Sequence, residues 1–200
     1  MGKLYLLIGK TNAGKDTVFK NVLKMTNLKP VVPYTTRQKR PGEIDDVDYH
    51  FVDNHFFNAC LRSDEILEYR SYNTTKGRVF YFETKESIDL TSEIDYILVC
   101  TAEAAQSIKD KLGNDNVIVI YLYADDFLRL KRYVNRESLS SNPDALEICR
   151  RFLHESEEYE DERLDKLGVD LKLENDNLEN CVKQFLDFYK SIHSEHEENF

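Results

Sequence analysis

Gly9-Lys10-Thr11-Asn12-Ala13-Gly14-Lys15-Asp16-Thr17 decides the fold of this chain. An apolar run, Leu4-Tyr5-Leu6-Leu7-Ile8, precedes it, and the helical pattern from Val18 to Met25 follows it. The order is strand, glycine-bounded loop, helix, and the Gly9…Gly14-Lys15 spacing is that of a phosphate-binding loop. Backbone N–H groups of such a loop wrap a phosphate, and the helix N-terminus behind it favours negative charge. Lys15 adds a point charge for the outer phosphates. The usual form of the motif has Ser or Thr directly after the lysine, where its hydroxyl supports Mg²⁺. Here Asp16 takes that position and the hydroxyl follows at Thr17, the side chain nominated for the metal. Read without a ligand, the stretch is a glycine-containing turn between a strand and a helix.

Working outward, Leu4–Ile8, Tyr96–Cys100 and Val117–Tyr123 are apolar throughout. Strands without alternation are covered on both faces. Helical patterns lie between and after them, at 15–25, at 102–112 closing near Gly113, and at 127–134. Such an order calls for a parallel sheet with helices on both faces, and in such sheets the ligand sits off the carboxyl ends of the strands. Between Pro30 and Pro33, Val31-Val32 makes a short strand at most. The pieces 49–52, 66–72 and 78–82, the last two joined by a turn at 73–77, call for a small accessory lobe. Residues 144–167 read as one long charged helix ended by Gly168, and 171–173 as a last short strand. A closing helix at 178–192 and a frayed acidic tail from Ser194 complete the chain.

The expected class is α/β, three layers with a parallel sheet and a small accessory lobe. A single unit is expected over 1–200, with its core in 1–32, 84–125 and 150–193. The accessory lobe covers 33–83 and the tail 194–200.

The 200 residues carry a formal net charge of −10, which argues against a nucleic-acid partner, since a polyanion needs a basic face. A small anion in a local basic pocket remains compatible. The four cysteines, Cys60, Cys100, Cys149 and Cys181, are far apart with no CxxC, so free thiols in a reducing compartment are expected. No signal peptide is expected, because the apolar run after Lys3 is only five residues long. No run approaches the ~20 apolar residues that span a bilayer. A cytoplasmic protein with no membrane partner follows as an expectation.

A second constellation is Pro33-Tyr34-Thr35-Thr36-Arg37-Gln38-Lys39-Arg40-Pro41-Gly42-Glu43, followed by Asp48-Tyr49-His50-Phe51. Arg37 and Arg40 are three apart in a polar loop and can converge on one anion, with bidentate forks that Lys lacks. Tyr49 can donate a phenolic hydrogen bond to the same group. Taken alone, the segment also reads as a solvated basic loop with a core Tyr. Together with the phosphate loop, this pattern resembles the guanylate kinase family, from Lys3 to about Tyr189.

The resemblance implies a phosphate-loop kinase fold in which the lobe over 33–83 binds the nucleoside monophosphate and a lid covers about 126–150. It implies ATP-dependent phosphorylation of GMP or dGMP with Mg²⁺, by a monomer or homodimer. It implies that Arg37, Arg40, Tyr49 and Tyr81 hold the acceptor phosphate and that Glu43 belongs to the same GMP site. Glu68, in Asp64-Glu65-Ile66-Leu67-Glu68-Tyr69, resembles the family's contact to guanine. A carboxylate there accepts from N1–H and the 2-amino group together, a donor pair that adenine lacks. Arg132, Arg136 and Arg151 match the lid arginines that, with Lys15, neutralise the moving phosphoryl group. Asn175 resembles the adenine contact, and the loop from Gly9 to Thr17 would hold the ATP phosphates. The sequence departs from the family at Pro33, where a Ser is common, and at Val99 and Thr101, where Asp is common. Phe82 and Glu83 replace the usual Gly and Ser/Thr after Tyr81. A kinase for another nucleotide or small phosphorylated acceptor, and a non-catalytic binding module of this family, are the alternative functions.

Overall fold

The computed structural model describes residues 1–40, 42–74, 77–138 and 144–197. The turn residue Pro41, the tip of the 73–77 turn, the polar segment 139–143 and the end of the tail lie outside the described residues.

In chain order the elements begin with β1 (Leu4–Ile8), α1 (Lys15–Met25), β2 (Lys29–Pro30), β3 (Tyr34–Thr35) and β4 (His50–Phe51). Next come α2 (Asn54–Arg62), β5 (Ile66–Thr74), β6 (Gly77–Thr84), β7 (Tyr96–Val99) and α3 (Ala102–Leu112). The chain closes with β8 (Val117–Tyr123), α4 (Asp126–Glu137), α5 (Ala145–Glu158), α6 (Asp161–Leu167), β9 (Leu171–Glu174) and α7 (Leu178–Glu197).

The main sheet has the order β2-β7-β1-β8-β9, and all its pairings are parallel. Every residue of β1 is 0% exposed, which is why its sequence shows no alternation. Alternate side chains feed two different cores. Leu4, Leu6 and Ile8 pack with Ala104, Ala105 and Ile108 of α3 and with Leu164 and Leu167 of α6. Tyr5 and Leu7 pack with Val18 and Val22 of α1 and with Cys181 and Phe185 of α7. The result is three layers with a parallel sheet between helices, as the apolar runs imply. Truncating Leu6 to Ala would cost about 2–5 kcal/mol, the usual range for a large side chain removed from a closed core.

A second, four-stranded sheet has the order β4-β3-β6-β5. One of its faces is apolar. Phe80 and Phe82 of β6 meet Phe57 of α2 there, with Tyr34 alongside. Asp53 caps α2 by accepting from the backbone N–H of Phe56. The opposite face carries polar side chains and looks toward the main sheet. Lys111 of α3 donates to the carbonyl of Leu67 at 2.5 Å, and Arg70 of β5 donates to the hydroxyl of Thr101 at 3.3 Å.

Three local expectations are corrected. The edge strand is Lys29–Pro30 rather than Val31-Val32; Pro30 is tolerated there because β2 has a neighbour on one side only. The long helix expected over 144–167 is two helices. Glu160, with extended backbone, starts α6, and Asp161 and Glu162 stand in its first turn. The closing helix runs to Glu197, past the expected fraying point at Ser194. Among the described residues, no helix is long and apolar enough to cross a membrane.

Candidate functional site

The loop after β1 turns through two residues of left-handed backbone, Asn12 with φ 61° and Gly14 with φ 100°. Backbone of alternating hand turns successive N–H groups inward, which makes an anion-binding concavity. Gly14 is required twice over, because a Cβ on it would also collide with Nδ2 of Asn175. The ammonium of Lys15 donates to the carbonyls of Gly9 at 2.6 Å and Lys10 at 3.1 Å, so it folds back across its own loop. Burial pushes its pKa down, against the pull of Asp16 and Glu155. Asp16 and Thr17 are exposed in the first turn of α1.

The loop is braced from behind. Asn175, just after β9, donates from Nδ2 to the carbonyl of Ala13 at 2.7 Å. Arg132 of α4 lies 3.4 Å from the carbonyls of Asn12 and Ala13 and donates to the carbonyl of Asn175 at 3.0 Å. A second brace comes from α5. Glu155 accepts from the backbone N–H of Thr11 at 3.0 Å and from the Thr11 hydroxyl. Its other oxygen takes Nη2 of Arg129 at 2.5 Å, and Nε of Arg129 donates to the carbonyl of Thr11 at 3.0 Å. Arg129 is 1% exposed, and its guanidinium lies 4.5 Å from the Phe152 ring centroid. Lys10 lies 3.8 Å from Asp126.

The polar face of the second sheet gathers most of the residues expected at the acceptor site. Register places Glu68 opposite Glu83 and Arg70 opposite Tyr81, and facing residues of an antiparallel pair share a face. Nε of Arg37 donates to the hydroxyl of Tyr81 at 3.0 Å, and its guanidinium lies 5.0 Å from the Tyr49 ring centroid. Both Nη atoms of Arg37 engage Glu43, at 2.7 and 2.5 Å. This bonding to Arg37 holds the Glu43 carboxyl below the usual carboxylate range. Arg40 is exposed, with its backbone N–H bonded to Glu43 at 2.8 Å. Glu68 is 3% exposed and lies 2.9 Å from Nη2 of Arg70.

The two groups are neighbours. Cys100, buried beyond the carboxyl end of β7, feels Lys15 on one side and Arg70, Glu68 and Glu83 on the other. Tyr49 feels the charge of Asp16. Of the lid arginines, Arg132 is at the loop. Arg136 is exposed over the Tyr133 ring at 4.8 Å, and Arg151 is half-buried on α5. Among the described residues, no three His, Cys, Asp or Glu side chains are grouped to hold a metal. Thr17 and Asp16 supply hard oxygen donors beside the loop. That fits a Mg²⁺ ion that keeps several waters and takes its other ligands from phosphates.

Four residues of this site were not singled out for these roles from sequence: Arg70, Glu83, Arg129 and Glu155. Arg70 and Glu83 do carry a signal, the i, i+2 spacing with Glu68 and Tyr81 on paired strands. Arg129 and Glu155 carry none short of the packing itself.

Comparison with known proteins agrees with this geometry. The sequence matches the family model described as guanylate kinase over residues 1–192. It is 31% identical over 188 residues to a guanylate kinase of Thermus thermophilus, covering 92% of this chain and 79% of that one. A guanylate kinase of Mesomycoplasma hyopneumoniae is 29% identical over 191 residues, covering 92% of each chain. A crystal structure of guanylate kinase from Anaplasma phagocytophilum has the same fold, with a TM-score of 0.68 at 18% identity, over 95% of this chain and 85% of that one. The chain belongs to the guanylate kinase family, within the phosphate-loop nucleoside monophosphate kinases.

Proposed function

We propose that this chain transfers the γ-phosphoryl group of ATP to GMP or dGMP, giving ADP and GDP or dGDP. Kinase chemistry on a GMP-like acceptor comes with the family. The observation that carries the finer reading is the polar face of the second sheet, with buried Glu68 and the Arg37–Tyr81 pair turned toward the loop that holds Lys15.

In this reading the loop amides and Lys15 hold the ATP phosphates. Arg37, Arg40, Tyr49 and Tyr81 hold the acceptor phosphate, and Glu68 faces the base. Mg²⁺, supported by Thr17 and by water, would neutralise charge on the phosphates when bound. Arg132, Arg136 and Arg151 complete the charge around the moving group as the lid closes. The acceptor phosphate is already an anionic nucleophile, so the site needs no general base. Positioning and charge neutralisation supply the rate.

Arg37 has five N–H donors. Four are engaged by Tyr81, Gln38 and Glu43, and the last points from Nη2. Glu43 therefore fixes the plane of the guanidinium, and the remaining donor goes to the acceptor.

An ADP-release assay with GMP, dGMP, AMP, CMP and UMP as acceptors tests the proposal. Turnover confined to GMP and dGMP is expected. Turnover with AMP or UMP and not GMP would remove the guanine assignment. Absence of both ATP binding and turnover would leave a binding module, a reading that the intact Gly14-Lys15 disfavours.

A further inference from the structure

Thr11 of the phosphate loop engages two helices with every polar atom it has. Its N–H donates to Oε1 of Glu155 at 3.0 Å, its hydroxyl donates to the same oxygen, and its carbonyl accepts from Nε of Arg129 at 3.0 Å. Nη2 of Arg129 donates to the second oxygen of Glu155 at 2.5 Å, and Nη1 donates to Asp126 at 2.5 Å. Arg129 is 1% exposed and Glu155 9%. The helix α5, which carries Glu155, is thereby tied to one residue of the loop by directional bonds shielded from water.

A buried ion pair is a poor device for stability alone, because desolvation offsets much of its attraction. What charge-assisted bonds supply besides energy is orientation. The element oriented here is α5. Residues four apart on a helix share a face, so Arg151 stands one turn from Glu155 on the face that meets the loop. Arg132 of α4 meets the loop directly, 3.4 Å from the carbonyls of Asn12 and Ala13. The reach of Arg151 toward the loop is set by where α5 is held.

We propose that Glu155 is a positioning residue for phosphoryl transfer: oriented by Arg129, it fixes α5 to Thr11 and so sets the guanidinium of Arg151 toward the phosphates that the loop carries. The assignment rests on the kinase reading above and on the part given there to Arg151. It adds to that reading a residue that touches no substrate. Positioning is the larger part of what such a site supplies, and a displacement of about 1 Å costs about a hundredfold in rate.

The test is a double-mutant cycle on the full chain, with ATP and the acceptor that the wild type turns over, GMP in that reading. Arg129→Met with Glu155→Leu fills the same space with apolar groups and removes the tie. In this variant kcat should fall about tenfold or more, while KM for GMP stays within about threefold. On an Arg151→Ala background the same two changes should cost less than about threefold further in kcat, since a positioning residue then has nothing left to position. A purely structural role would lower kcat by the same factor on both backgrounds. Glu155→Gln sets an N–H donor against either Thr11 or Arg129, whichever way the amide turns, and should show the same split between kcat and KM. Wild-type kcat in the folded Met/Leu variant overturns the assignment. So does a loss that multiplies in full with that of Arg151→Ala. If the Met/Leu variant does not fold, Glu155→Gln takes its place in the cycle and the same two outcomes decide. Absence of wild-type turnover with any acceptor sinks the kinase reading and this role with it. Wild-type turnover with unaltered variants sinks only the role of Glu155.

Discussion

Arg37 and Glu43 meet fork to fork, with Nη1–Oε2 at 2.7 Å and Nη2–Oε1 at 2.5 Å, while Nε of Arg37 bonds the Tyr81 hydroxyl. A pair of this geometry orients the arginine as well as neutralising it. Glu43→Gln keeps the size and loses the charge-assisted bonds. It should raise KM for GMP about tenfold, as expected for hydrogen bonds to a charged group, and leave KM for ATP unchanged. Initial-rate kinetics with each substrate varied in turn checks this.

The same pair has a pH consequence. Bonding to Arg37 lowers the Glu43 pKa from 4.5, so the unfolded chain takes up this proton before the folded one does. The stabilisation is fully present at neutral pH and is lost as pH falls below the ordinary carboxylate value through the lowered one. Urea midpoints measured from pH 6 to pH 3 should fall more steeply for wild type than for Glu43→Gln. Parallel curves would show that Glu43 gains nothing from folding.

Lys15 is half-buried, and loss of solvent around its ammonium disfavours the charge. Lys15→Met removes a desolvated charge without removing its alkyl packing. Turnover should fall about a thousandfold or more, in line with loss of a preorganised charge-stabilising donor. The melting temperature of the free protein should stay level or rise. A marked fall would mean that the bonds from Lys15 to Gly9 and Lys10 hold the loop together.

Arg129 and Glu155 tie α4 and α5 to Thr11 of the phosphate loop from deep inside the protein. Removing Arg129 leaves Glu155 buried without this cation, whereas Arg129 without Glu155 keeps Asp126 at 2.5 Å. Arg129→Met should destabilise by about 3–5 kcal/mol. The double change Arg129→Met with Glu155→Leu should recover most of that loss, since apolar replacements of buried pairs are often neutral or better. Denaturant titration of the two single variants and the double variant gives the coupling energy.

The main sheet was legible because β1, β7 and β8 are buried on both faces, and such strands read as unbroken apolar runs. The break between α5 and α6 was hidden because neither Gly nor Pro marks it. The acids Asp161 and Glu162 that begin α6 look like more of the same charged helix. In the site, Arg37, Arg40, Glu43 and Tyr49 lie within one short segment, so their meeting is a local matter that spacing can suggest. Arg70 and Glu83 join the same face only through the β5–β6 register, and a lone polar residue in a strand looks like a solvated one. The Glu155 brace spans 144 residues to Thr11, beyond the reach of any local pattern.

Product-resolved phosphorus NMR of the wild-type protein with ATP, Mg²⁺ and GMP tests phosphoryl transfer to the guanine nucleotide most directly. ADP and GDP should appear in equal amounts, with no free phosphate, and the signal of GMP should fall in step. ATP converted to ADP and inorganic phosphate without GDP, or no conversion at all by folded protein, would contradict it.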